Sequence, residues 1–232
     1  LAGWGMQEVP HKRYLNDFFT GKIADSVSRG ELYNEDPITG DARFCATTAS
    51  MCGIESAGFE QNEEKKKRAV RFDLMLHAYM MVQSGIPMLY SGDEIGQVND
   101  YTYKNDPEKQ VDSRYIHRGK FDWKLADGRK RKGTVQKELF DGIGKLRSIR
   151  SKEKVFDASA NVWTLDTWEN GILGVVREME GEQMTALFNF AEESRTAWIE
   201  EEGEYMDLYT GKKVSLQAVK MEGHSFILAK KC

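Results

Sequence analysis

The chain has few of the residues that staple small folds or ligate metals: its 232 residues include three cysteines and four histidines. Cys45, Cys52 and Cys232 form an odd set without metal-ligand spacing. If the stretch carrying the first two is helical, they sit two turns and about 10 Å apart, beyond the reach of a disulfide. Reduced thiols in a cytoplasmic protein are the simplest reading. His11, His77 and His224 have no partner at metal spacing, so neither a metal nor a cofactor is expected. An excess of one charge is also missing. Against 33 basic side chains stand 37 acidic ones, a net of −4, which sets up no uniform field for nucleic acid or an anionic membrane. The basic run Arg129–Lys132 lacks interleaved aromatics and glycines and reads as a solvated loop. Long apolar runs are absent as well. The most apolar stretch, Leu74 to Val82, is interrupted by His77 and is too short to span a bilayer. The amino terminus has no basic region followed by an apolar core, so no signal peptide is expected.

What is present is ordinary globular composition, in a length that suits one large domain or two small ones. From Val9 to Arg43 aromatic residues alternate with turn formers, predicting a short helix through Tyr14–Phe19 and a loop around Asp36-Pro37. Phe44 to Ile54 is rich in Ala, Thr and Cys and predicts a tightly packed helix that Asp41 caps and Gly53 ends. Glu63 to Ser84 is the clearest helix, acidic at its start, apolar nearly all round in its second half, and stopped by Gly85. A short apolar strand, residues 86–90, is expected to follow directly. A further amphipathic helix begins near Val135, with Val135, Leu139, Ile143, Leu146 and Ile149 or Arg150 on its buried stripe. Beyond Val155 the pattern changes to short alternating strands at 162–165, 172–178, 184–190, 196–200, 205–207, 216–219 and 225–229. Glycines punctuate them, as in an antiparallel β-sandwich.

Two polar segments stand out. Gly85-Ile-Pro-Met-Leu-Tyr-Ser-Gly-Asp-Glu-Ile-Gly96 runs an apolar strand into two carboxylates flanked by glycines, and Asp112-Ser-Arg-Tyr-Ile-His-Arg118 follows about one loop later. Carboxylates at the carboxyl end of a strand are where (β/α)8 barrels place their active sites. Three more stretches agree in order: Gly40-Asp-Ala-Arg43, Asn189-Phe190 and Asp207-Leu-Tyr-Thr-Gly211. Together these segments resemble the last barrel strand, its loop and the following domain of the α-amylase family of glycoside hydrolases, most of all its amylosucrase-like, sucrose-using members. The resemblance covers nearly the whole chain. It implies an α+β protein in which residues 1–154 supply the end of a (β/α)8 barrel, its last helices and strand with a loop subdomain, and residues 155–232 an all-β antiparallel sandwich. It further implies that the chain begins just after the seventh barrel strand, so that the amino-terminal barrel portion would be a missing partner.

Retaining glycosidases use two carboxyl groups about 5 Å apart, and Asp93 with Glu94 suggests such a pair. Neighbouring residues at a strand end point in different directions. The resemblance places the nucleophile, the acid/base and a third aspartate on strands this sequence does not contain. Asp93 and Glu94 are therefore expected to be structural residues at the barrel top, and the chain alone to lack the catalytic carboxylates. The resemblance assigns Arg114 of the Asp112 motif to a salt bridge that closes a glucose subsite, its partner an aspartate on an earlier loop. It assigns Arg43 to the fructosyl or acceptor side. Tyr101 and Tyr103, between the strand end and that motif, are candidates to stack on pyranose rings, as more weakly are Trp4, Phe18, Phe19 and Trp123. His117, next to Arg114, is a candidate for a sugar hydroxyl.

The resemblance thus implies a retaining enzyme of α-glucosidic bonds acting on sucrose or an α-glucan by hydrolysis or glucosyl transfer. The alternative from another class is a stand-alone carbohydrate-binding or interaction module. A lone strand at 86–90 with two unpaired edges would also favour self-association.

Overall fold

A computed structural model describes residues 2–232. The helices and strands run α1 (Glu8–Phe19), β1 (Glu31–Tyr33), β2 (Arg43–Cys45), α2 (Thr48–Met51), α3 (Ile54–Phe59), α4 (Glu63–Val82), α5 (Trp123–Ala126) and α6 (Val135–Lys152). There follow β3 (Asn161–Leu165), β4 (Ile172–Met179), β5 (Glu182–Asn189), β6 (Arg195–Ala197), β7 (Tyr205–Asp207), β8 (Lys212–Val214), β9 (Val219–Met221) and β10 (Ser225–Lys231). Short 3-10 turns at Asp93–Ile95, Tyr101–Asn105 and Ser113–His117 carry the polar motifs. The chain divides into two compact units: residues up to Val70 with Tyr90–Leu139, and Arg71–Leu89 with Phe140–Cys232. Among the described residues no helix is long and apolar enough to cross a membrane.

In the first unit β1 and β2 form an antiparallel ribbon that pairs Glu31 with Cys45, Leu32 with Phe44 and Tyr33 with Arg43. The helix expected over Phe44–Ile54 is replaced by the end of β2 and two short helices. Thr47, extended, caps α2 by accepting the Ser50 amide at 3.2 Å. Gly53, at φ 96°, then resets the chain into α3, a left-handed step that glycine takes at little cost. The cap is thus Thr47 and not Asp41, which instead lies 2.7 Å from the Lys12 ammonium. Cys45 and Cys52 are buried and not disulfide-bonded, the first in β2 and the second at the end of α2, so the helical spacing argument does not apply to them. Asn99 stitches distant segments together. Its Oδ1 accepts the Thr47 amide at 2.9 Å, its Nδ2 donates to the Arg29 carbonyl at 2.9 Å, and its own amide donates to Ser50 Oγ at 2.9 Å.

In the second unit β3-β4-β5-β10-β7-β8 form one sheet, and β6 pairs with β9 in a separate ribbon. The sandwich expected from the strand pattern is present in this form. The central strand β5 is buried on both faces, and its side chains sort by the two-residue period of a strand. Met184, Ala186 and Phe188 face a cluster with Met75, Ala78, Met81 and Val82 of α4 and Leu146 of α6. Leu187 joins Ile172, Ala229, Ile199, Leu216, Val219 and Met221 on the other side. The strand expected at 216–219 is shifted. Leu216 is buried between β8 and β9, and burial rather than ladder pairing explains its apolar character.

The strand expected at 86–90 does not form, and the partial barrel expected around it is not seen: every strand pairing among the described residues is antiparallel. Residues 86–90 carry no ladder, and Ile86 and Met88 are 91% and 80% exposed. A strand is held by hydrogen bonds to a neighbour, and an apolar run without one stays a coil.

What ends α4 is a pair of arginines. The last carbonyls of a helix lack intrahelical donors, and that end carries the negative pole of the helix dipole. Arg150 donates to the carbonyls of Met81, of Gln83 at 3.2 Å and of Gly85 at 2.7 Å. Arg177, fully buried on β4, donates to Val82 at 2.9 Å, Val155 at 2.6 Å and Asp157 at 2.9 Å, and approaches Ser84 Oγ at 3.3 Å.

Candidate functional site

The Asp112-Ser-Arg114 motif lies against the β1–β2 ribbon in the first unit. Asp112 caps its own 3-10 turn by accepting the Arg114 amide at 3.0 Å. Ser113 Oγ donates to the Leu32 carbonyl at 2.8 Å and pins the turn to β1. With the backbone so fixed, the Arg114 guanidinium forks onto Asp112, Nε to Oδ1 at 2.8 Å and Nη2 to Oδ2 at 2.7 Å. Its Cζ lies 4.2 Å from the centroid of the Tyr33 ring. A planar cation gripped by a carboxylate on one edge and stacked on an aromatic face is held in one orientation. The resemblance assigned Arg114 a partner on an earlier loop; here the carboxylate that holds it is Asp112, two residues away.

Electrostatics follow from this fork. The Arg114 hydrogen bond holds the Asp112 carboxyl well below its usual range, at about 2, and Asp112 raises the Arg114 pKa in return. The described hydrogen bonds of Arg114 use Nε and Nη2, which leaves the Nη1 edge for another acceptor.

Beside the motif is an open cleft of about 520 Å³, whose lining includes Glu31, Tyr33, Tyr103, Lys104, Gln110 and Ser113. Glu31 is engaged by the Tyr103 hydroxyl and the Lys104 ammonium. Burial, and then the Glu31 carboxylate, push the Tyr103 phenol upward. Its hydroxyl therefore acts as a donor. Tyr101 stands apart from this cleft lining. Its hydroxyl donates to Glu55 at 2.7 Å, and burial pushes its pKa up to about 12.

The structure brings several of the expected site residues together. Arg43 is the cross-strand partner of Tyr33, and directly paired residues share a face, so Arg43 and Arg114 flank the same ring's position. Tyr103 lines the cleft, and Asp112 and Arg114 flank the lining residue Ser113, with Arg114 stacked on the lining residue Tyr33. His117 sits one turn beyond Arg114 with its ring edge-on to Tyr90 at 5.7 Å. Burial, reinforced by Arg118, pushes its pKa down, so the neutral imidazole is the form present at neutral pH. Asp93 and Glu94 lie on a 3-10 turn between the left-handed Gly92 and Gly96. Asp93 Oδ2 accepts the Tyr90 amide at 2.9 Å and Glu94 Oε2 the Gly92 amide at 3.3 Å. Both carboxylates bond the backbone of their own turn. Of the aromatics considered for stacking, Trp4 and Trp123 are exposed, the latter edge-on to Phe121 at 4.8 Å.

Sequence reasoning missed Tyr33 and Glu31. Neither stands in a motif, and only the β1–β2 pairing makes them neighbours of Arg114. The one signal available was their position in an aromatic-rich loop region.

No family model matches the sequence. Among solved structures, AmyP in complex with maltotriose is similar over 71% of this chain and 35% of that one, with a TM-score of 0.57 at 14% identity. An α-amylase from Anoxybacillus matches over 71% of this chain and 32% of that one (TM-score 0.49, 22% identity). A maltogenic amylase from S. marinus matches over 69% and 19% respectively (TM-score 0.48, 18% identity). These neighbours are α-amylase-family enzymes. The chain spans between about a fifth and a third of their lengths. At these identities the likeness is one of fold, and it rests on the AmyP structure.

Proposed function

We propose that this chain is the carboxyl-terminal part of a retaining enzyme of α-glucosidic bonds, acting on sucrose or an α-glucan, and that its first unit supplies one wall of the sugar pocket. The observation that carries this reading is the fixed Arg114 guanidinium. Forked on Asp112 and laid on Tyr33, it offers an oriented pair of donors to a neutral polyol beside a cleft rimmed by Tyr103, Glu31 and Lys104. The fold likeness to AmyP supports it, as does the motif order of the sequence. Arg43, across the ribbon from Tyr33, takes the acceptor side in this reading, and His117, neutral, serves a hydroxyl.

The acids on this wall serve to hold cations in place. Asp112 is ionised and forked, and Glu31 is clamped by Tyr103 and Lys104, so neither is set up as a proton donor or as a nucleophile. Asp93 and Glu94 bond their own turn. In this reading the bond-breaking carboxylates come from chain outside this sequence, and the choice between hydrolysis and glucosyl transfer is made with them.

Ligand-observed NMR with sucrose and with maltotriose tests the proposal. Saturation transfer is expected from this chain to both sugars, falling at least about fivefold in Arg114→Ala, while neither sugar is turned over. Undiminished transfer in Arg114→Ala would remove the pocket-wall role, and turnover above blank would show that the chain carries its own catalytic carboxylates.

A further inference from the structure

The second unit has a concave surface of its own. The loop joining β3 to β4 lines a cleft of about 380 Å³ in which Asp166, Trp168, Glu169 and Asn170 stand. The loop is rigidly built. Thr167 is buried, with Oγ1 2.8 Å from the Ile172 carbonyl and 3.1 Å from that of Glu169. Asp166 Oδ1 accepts the Trp168 amide at 2.9 Å, and Glu169 Oε1 accepts that of Gly171 at 3.1 Å. Trp168 itself adopts φ 53°, a left-handed backbone uncommon for a bulky side chain. Despite that conformation its indole is 69% exposed.

A second indole emerges next to it. The Trp198 amide donates to the Thr167 carbonyl at 2.9 Å, which places residue 198 beside the loop. Its neighbours Ala197 and Ile199 are buried in the core, whereas Trp198 is 57% exposed. Alternation along the segment therefore turns this indole outward. Two large aromatic faces thus stand in water on adjacent chain segments, rimmed by carboxylates and an amide.

The chemistry selects one class of ligand. Indole faces stack on the C–H faces of pyranose rings, and Asp166, Glu169 and Asn170 offer acceptors and a donor to hydroxyls. Asp166 disfavours anionic ligands such as nucleic acid or acidic lipid, and Glu169, with the Arg195 guanidinium 3.5 Å from its Oε1, leaves no net positive charge to attract them. A protein partner needs on the order of 800 Å² of complementary surface on each side, far more than two indoles and a small cleft provide. The geometry points to a saccharide-binding site for a neutral glucan on the second unit, with Trp168 and Trp198 as its platform. The saccharide class follows from these side chains; that the glucan is α-linked rests on the function proposed above.

Affinity electrophoresis of the chain through gels cast with amylopectin, and separately with barley β-glucan, tests both parts. Amylopectin is expected to retard the chain, and Trp168→Ala and Trp198→Ala each to weaken that retardation about fivefold or more. Phe59→Ala, at an exposed aromatic of the first unit with no assigned role, should leave it unchanged, and it should persist in Arg114→Ala, which removes only the first-unit site. Both indoles are surface side chains, and thermal unfolding recorded alongside verifies that the variants keep the fold. Retardation by β-glucan alone, lost in the same two variants, would keep the site and overturn both the α-linkage and the functional reading beneath it. No retardation by either glucan, or retardation indifferent to both substitutions, would overturn the site.

Discussion

Arg177→Met isolates what a buried guanidinium does at the end of a helix. The substitution keeps the stem volume and removes the charge and its donors. Three carbonyls, those of Val82, Val155 and Asp157, then lose their partner in a region where Arg177 is fully buried. An unpaired buried acceptor costs about 1–3 kcal/mol, which applies in full to the Val82 and Val155 carbonyls and only in part to that of the exposed Asp157, so the gross loss is ~2–7 kcal/mol. Against this, the variant no longer buries a charge, which returns several kcal/mol. The expected net destabilisation is about 3 kcal/mol, near the low end of the gross range. At a urea m-value of about 3 kcal/mol/M this lowers the unfolding midpoint by ~1 M with little change in slope. Hydrogen exchange gives the local readout: amides in the last turn of α4 should lose protection together with those of β4. Arg177→Lys is expected to fall between wild type and methionine, because a single ammonium keeps the charge but cannot fork to acceptors on three segments. A loss below about 1 kcal/mol for Arg177→Met, or unchanged protection at the end of α4, would refute the view that this arginine caps the helix.

Two further outcomes are expected. Asp112 should titrate near 2 in carboxyl-carbon NMR, and in Arg114→Ala its midpoint should rise toward the ordinary carboxylate range near 4; because the folded value is depressed, the fork's contribution is fully present above about 4 and is lost as pH falls through about 2. A wild-type midpoint near 4 would mean that the fork does not hold in solution. Asn99→Ala orphans the Thr47 amide and the Arg29 carbonyl and is expected to cost about 2–3 kcal/mol in urea unfolding, and equal stability in wild type and variant would show that the stitch is dispensable.

The long helices were legible because periodicity and end signals agree. Glu63 and Glu64 start α4 and Gly85 follows its end, while α6 keeps its apolar stripe from Leu139 to Leu146. The strands beyond Val155 were legible as alternation between glycines. Positions whose burial and pairing disagree were not. Leu216 is fully buried but unpaired, and Ile86 and Met88 are apolar but exposed, so an apolar run predicted a strand in the wrong place both times. The Ala-Thr-Cys stretch after Phe44 misled for a different reason: small residues tolerate helix, and the Thr47 cap and the left-handed Gly53 decide where each short helix begins. At the site, Asp112, Arg114, Arg43 and Tyr103 were named from the sequence. Tyr33 and Glu31 were not, since what makes them neighbours of that motif is a strand register. The buried Arg177 was equally hidden, because an alternating strand gives no sign that its long cation points inward to a helix end.

The distance along the chain between that arginine and its helix bears on how the molecule comes to be made. Val82 and Arg177 are separated by 95 positions. At about 5–20 residues per second, a ribosome reaches the arginine roughly 5–20 s after the helix end has been synthesised. Throughout that interval Met75, Ala78, Met81 and Val82 have no sheet to cover them, since Met184 and Leu228 come later still. The nascent helix meets Leu146 and Arg150 of α6 first, and its sheet-facing side stays uncovered until β5 and β10 have been made, so the second unit completes its core well after α4 has been synthesised.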